Sequence, residues 1–122
     1  MKIILIAFLV PCLLSCAGAG EKKQGAPEPD SKKNAVYEEG LALVAKNKCL
    51  TCHAIEETIT GPPYMEISKK YRDAGDTIVP HLAHKIITGG TGVWGQIFMT
   101  PHSNISEADA EKMVKYILML SK

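Results

Sequence analysis

Two thiols three positions apart, Cys49 and Cys52, are followed at once by the imidazole of His53. This Cys-x-x-Cys-His run matches the pattern for covalent attachment of a c-type haem. Chemistry explains the spacing. In a tight turn leading into a helix, both sulfurs reach the two vinyl groups on one porphyrin edge and form thioethers, and the adjoining imidazole lies under the iron. A bare Cys-x-x-Cys used otherwise needs different surroundings. A thioredoxin-like dithiol wants a βαβ pattern around it, and a structural zinc site wants a second Cys or His pair at finger-like spacing. Neither pattern is visible in the 122 residues. One covalent haem c is therefore the expected cofactor, with His53 as an axial ligand.

The sixth position decides what such an iron does. Met65, Met99, Met113, Met119, His81, His84 and His102 are all available in the sequence. Met113 and Met119 fall on a terminal helix, where a buried Met usually fills gaps in the core, and Met65 on a short second helix reads the same way. His81 and His84 belong to a helix surface, where imidazoles are ordinarily solvated. His102 follows Pro101 and is placed to swing in as a rival ligand. Met99 lies in a glycine-flanked loop after Trp94.

The elements that must hold these residues read as helices. Asn34 is a plausible N-cap, and Val36, Gly40, Leu43 and Val44 share one face of a helix that would run into Cys49. Gly40 facing Tyr116 would let the first and last helices cross closely. Gly61-Pro62-Pro63 forbids a continuous helix after the haem motif. A short helix is expected from about Tyr64 to Tyr71. Another is expected from near Val79 to Thr88, with Val79, Leu82, Ala83 and Ile86 inward and Gly89-Gly90 ending it. The last begins at Ser106, with Asp109 three residues on, and turns Met113, Tyr116, Ile117 and Leu120 inward. No strand is evident. The class is all-α, with about four helices and long functional loops.

The first third is expected to address and tether the chain. Lys2 and the apolar stretch from Ile3 to Leu14, too short to span a bilayer, read as a secretory signal over residues 1–15. Leu13-Leu14-Ser15-Cys16 has the form of a bacterial lipoprotein cleavage site, so Cys16 is the expected acylated N-terminus. Residues 16–33, rich in Gly, Ala, Pro, Lys and Glu, form a linker in this reading, and residues 34–122 the haem domain. The four cysteines are then all assigned, because Cys12 is removed, Cys16 carries lipid, and Cys49 and Cys52 carry haem. From Asn34 onward nine Lys or Arg stand against ten Asp or Glu, and the whole chain carries a formal charge of +1. That balance, with no basic patch interleaved with aromatics, excludes a nucleic-acid partner.

From Val36 to Leu120 the chain resembles the class I cytochromes c, in the short bacterial monohaem group. The resemblance rests on the haem motif, Gly61-Pro62-Pro63-Tyr64, Lys70-Tyr71, Gly92-Val93-Trp94-Gly95 with Met99 four residues later, and Ile105-Ser106 with Asp109-Ala110. One departure is Phe98, where the group usually has Pro before its ligand Met. The resemblance implies a fold wrapped around one haem, with Met99 opposite His53 on the iron. It implies that the Pro62 carbonyl accepts the other N–H of His53, and that Trp94 and Lys85 meet a haem propionate. It also implies a single-electron carrier and no enzyme, working outside the cytoplasmic membrane at the periplasmic or cell-envelope face. The expected redox partners are a quinol-oxidising membrane complex and a terminal oxidase or reductase. A haem enzyme, or a gas or redox sensor with a labile sixth ligand, is the alternative, and Met99 is the feature that separates the two.

Overall fold

The computed structural model describes residues 29–121. Four α-helices and one short hairpin follow in chain order: α1 Pro29–Lys46, α2 Tyr64–Tyr71, α3 Ile78–Thr88, β1 Gly90–Gly92, β2 Gly95–Met99 and α4 Glu107–Leu118. The all-α class is as expected. The proposed signal segment, Cys16 and most of the linker lie outside the described residues.

Helix α4 is the hub and packs against α1, α2 and α3. It starts as its sequence indicates, with the Ser106 hydroxyl accepting a hydrogen bond from the Asp109 backbone N–H at 3.2 Å. A capping hydroxyl of this kind satisfies one of the otherwise unpaired donors of the first turn. The face of α4 presenting Ala110, Met113, Val114, Tyr116 and Ile117 is buried, and Val44, Tyr64, Ala83, Ile86 and Ile105 complete the core. Val79 and Leu82 of α3 and Leu120 beyond α4 are partly buried against that core.

Helices α1 and α4 meet at Gly40. A Cβ built there would strike Tyr116 Cβ and come within 2.5 Å of the Lys112 carbonyl oxygen. Only a residue without a side chain allows so close a crossing. Tyr37 then lays its ring edge-on to Tyr116, with centroids 5.0 Å apart at 71°. A second tie joins α2 to the end of α4, where Ser68 Oγ donates to the Leu118 carbonyl at 2.9 Å and accepts from the Ser121 backbone N–H at 3.1 Å.

Three expectations need correction. Asn34 is not an N-cap, because α1 starts at Pro29 and takes in the last residues assigned to the linker. Proline fits the first helical position, where its missing N–H is not needed. Nor does α1 reach Cys49. It ends at Lys46, Asn47 Nδ2 bonds back to the Leu43 carbonyl at 2.8 Å, and Lys48 takes a left-handed turn at φ 55°. Finally, the chain does form strands: β1 and β2 pair antiparallel, Gly90 with Met99 and Gly92 with Gly95, with an irregular register between. Glycines at φ 124°, 133° and 107° (Gly90, Gly92 and Gly95) shape this hairpin. Side-chain alternation, the usual sequence signature of a strand, is absent from a strand made of Gly-Thr-Gly.

Candidate haem-binding site

The reversal at Lys48 feeds directly into a 3-10 turn over Cys49–Thr51. Its hydrogen bonds, from Cys52 N–H and His53 N–H to the Cys49 carbonyl at 3.2 and 3.1 Å, wind the motif tightly. Residues three and four apart share a face in such a turn. Cys49, half-buried, and Cys52, exposed, are both free thiols on that face beside His53. Burial raises the Cys49 thiol above its ordinary value, and a hydrogen bond with Tyr64 partly offsets this.

The loop after the motif folds back to hold the imidazole. Gly61 N–H donates to the Cys52 carbonyl at 2.7 Å, and Tyr64 N–H to the Ala54 carbonyl at 3.0 Å. His53 Nδ1 lies 2.8 Å from the Pro62 carbonyl oxygen. A carbonyl only accepts, so Nδ1 carries the proton and Nε2 keeps a lone pair for a metal. Tyr64 stacks on the same ring, with centroids 5.2 Å apart at 19°. Gly61 also lies close against the ring, since a Cβ there would stand 2.5 Å from His53 Cε1 and 2.8 Å from Nδ1. Three neighbours thus fix the ring in one orientation.

Met99 is positioned by a different device. It ends β2 opposite Gly90, and Gly89, at φ 67°, lets the Met99 strand pass against the end of α3. A Cβ on Gly89 would collide with the Met99 carbonyl oxygen and approach Pro101 N within 2.9 Å. His102 N–H then donates to the Ile86 carbonyl at 3.1 Å, pinning the loop beyond Met99.

These two halves face one cavity of about 490 Å³. Cys49, Cys52, His53, Pro62, Lys85, Trp94 and Met99 all line it, with Ile67, Leu82, Ile86, Phe98 and Ile117 among its apolar walls. Of the seven residues able to give the sixth ligand, Met99, Met113, His81 and His102 reach this cavity, whereas Met65, Met119 and His84 are not among its lining residues. Met113 is 1 % exposed and packed into the core of α4. Around the cavity, Val93, Ile97 and Phe98 are 67, 65 and 60 % exposed, a concentration of open apolar surface beside a thiol and imidazole set. Such a patch marks a place built to be covered by an apolar partner. Two thiols, an imidazole lone pair, a thioether and an apolar cavity make a donor set that fits haem c.

Two features of the rim have only weak signals in sequence. Lys70 Nζ stands 5.8 Å from the centroid of the Trp94 ring and 5.9 Å from that of Tyr71. Lys85 Nζ overhangs Gly90, 3.8 Å from where its Cβ would be. Gly61 was legible as part of a turn, but its contact with the imidazole comes from a fold-back between residues eight positions apart.

Known proteins agree with this geometry. The family model described as Cytochrome c matches residues 37–121. Cytochrome c-552 of Nitrosomonas europaea is 45% identical over 78 residues, covering 64% of this chain and 75% of that protein. Cytochrome c-551 of Allochromatium vinosum is 40% identical over 81 residues, covering 66% and 84%. The crystal structure of wild-type Nitrosomonas europaea cytochrome c552 superposes with a TM-score of 0.62 at 43% identity, covering 66% of this chain and 99% of that one. The chain belongs to the cytochrome c family, with one covalently bound haem c and the class I fold, and is an electron carrier, not an enzyme.

Proposed function

We propose that this protein is a membrane-tethered monohaem carrier that passes single electrons between exported respiratory partners, with His53 and Met99 as axial ligands. The convergence of Cys49, Cys52, His53 and Met99 on one apolar cavity, with His53 already oriented by Pro62, supports this reading most strongly. Bound haem c supplies an iron that cycles between two oxidation states. The chain sets the terms on which it does so. The Pro62 carbonyl keeps the proton on Nδ1 and raises the basicity of the ring, as partners of metal-bound histidines do. The Met99 thioether, neutral and soft, favours the reduced state and raises the potential relative to a second imidazole. With His53 and Met99 both holding the iron, peroxide or oxygen would find no vacant site. Trp94 and Lys85 at the rim are assigned to the propionates. Acylated Cys16 and the linker behind it hold the domain at the periplasmic or cell-envelope face of a membrane. There a quinol-oxidising complex would be its donor and a terminal oxidase or reductase its acceptor.

A second reading gives the sixth position to His102, which lines the cavity and whose buried Nδ1 has no hydrogen-bond partner among the described residues. The oxidised holoprotein separates the two. Met99 ligation predicts the weak methionine-to-iron(III) charge-transfer band, and His102 ligation predicts its absence and a lower potential. Rapid binding of carbon monoxide by the reduced native protein would refute both and favour an enzyme or sensor. Mass spectrometry of the mature N-terminus tests acylation of Cys16 separately.

A further inference from the structure

A second recess lies away from the haem cavity, where the start of α1 meets the end of α4. Val36, Leu118 and Met119 form the apolar floor of this shallow groove of about 400 Å³, and Lys32, Lys33 and Lys115 stand around it. Lys32 and Lys33 are exposed, and among the described residues Lys115 has a solvent-facing pair with Glu111 at 3.5 Å. The groove shares α4 with the haem cavity but not its face. Met113, Val114 and Ile117 line the cavity, whereas Lys115 and Leu118 line the groove. At about 100° per residue these two sets are centred roughly 120° apart around the helix.

We propose that this groove seats the domain on an anionic lipid surface. Two observations choose the occupant. Three ammonium groups around an apolar floor match a surface that is anionic at its headgroups and apolar just beneath. The chain also enters the domain beside the groove: α1 begins at Pro29, thirteen residues after Cys16, and a coil of that length would reach roughly 20 Å. A domain held that close meets lipid with the start of α1 first. With the groove on the membrane, the haem cavity is turned toward water and toward a partner. The inference rests on the membrane location proposed above, whereas the vesicle binding tested below does not need the acyl chain.

The test uses unacylated holoprotein beginning at Ala17, exported behind a cleavable leader and carrying every described residue. Its haem absorbance is followed as it co-sediments with vesicles of phosphatidylcholine alone or mixed with phosphatidylglycerol. Binding is expected to the anionic vesicles only, falling about five-fold for each of Lys32→Gln, Lys33→Gln and Lys115→Gln. Lys46→Gln removes the same charge about 20 Å further along α1 and is expected to leave binding unchanged. Equal binding to both vesicles would overturn the proposal. So would equal weakening by Lys46→Gln, which would make net charge the cause, or concentration-dependent self-association in place of vesicle binding. An acyl group missing from native Cys16 would refute the anchor alone.

Discussion

Replacing Gly61 with alanine tests how the proximal imidazole is held. Gly61 does not occupy the left-handed region, so alanine meets no backbone penalty there, and the cost is purely one of space. The new Cβ would stand 2.5 Å from His53 Cε1, where ordinary contact begins near 3.4 Å, so ring or loop must give by about 0.9 Å. The loop is poorly able to yield, with Gly61 N–H bonded to the Cys52 carbonyl at 2.7 Å. The ring gives instead, and the 2.8 Å bond to the Pro62 carbonyl opens. Losing that bond costs about 1 kcal/mol, and overpacking adds about 1–3 kcal/mol. For a domain of this size the melting temperature should fall by roughly 10–25 °C. The potential should move as well. A hydrogen-bonded imidazole donates more strongly and favours oxidised iron, so losing the bond raises the potential. If the whole of ~1 kcal/mol reaches the iron, the rise is about 40 mV for one electron. Gly75→Ala is the control: its φ is 75° with nothing within 4 Å, so it should lose about 1–2 kcal/mol through its backbone and keep its potential. Spectroelectrochemistry and thermal melts of both holoproteins provide the assay. A Gly61→Ala protein with the native potential and melting temperature would refute the claim that Gly61 and Pro62 fix the ring.

Other consequences can be measured on the same preparation. Gly40→Ala should lower stability by up to about 2 kcal/mol in chemical denaturation, because a backbone clash with Lys112 of up to about 3 kcal/mol outweighs the roughly 1 kcal/mol gained in helix propensity. Ser68→Ala should cost about 2 kcal/mol, since the Leu118 carbonyl and the Ser121 N–H lose their partner inside the fold. Burial raises the Tyr64 hydroxyl above the ordinary tyrosine value of 10.0, so the folded chain holds that proton more tightly than the unfolded one. This contribution is complete below pH ~10 and is lost as pH rises above it, by up to about 1.4 kcal/mol per unit. Alkaline denaturation curves of Tyr64→Phe should therefore be flatter than those of the native protein.

Much of the architecture is visible in the chain because it follows from local chemistry. Ser106 and Asp109 announce the start of α4, the two prolines before Tyr64 force α2 to begin there, and Gly89 ends α3. The start of α1 is less plain, because Asn34 reads as the helix start and the packed structure begins the helix at Pro29 instead. The hairpin escapes pattern reading because its conformation comes from glycines at positive φ. The motif at Cys49 identifies the cofactor, while the sixth-ligand candidates narrow only in three dimensions. The cavity retains Met99, Met113, His81 and His102 from the original seven, and those four come from three separate elements and a loop. The seat of His53 is tertiary in the same way, for Gly61, Pro62 and Tyr64 reach the imidazole only when the loop folds back.

The most direct test of the His53–Met99 carrier is a spectroelectrochemical titration of the native holoprotein beside Met99→His. Met99 ligation predicts one reversible single-electron transition in the native protein, with the methionine-to-iron(III) band present. In the variant it predicts a folded protein, no such band and a lower potential. A native protein without the band, or a variant whose potential is unchanged, would remove Met99 from the iron and contradict the carrier as described.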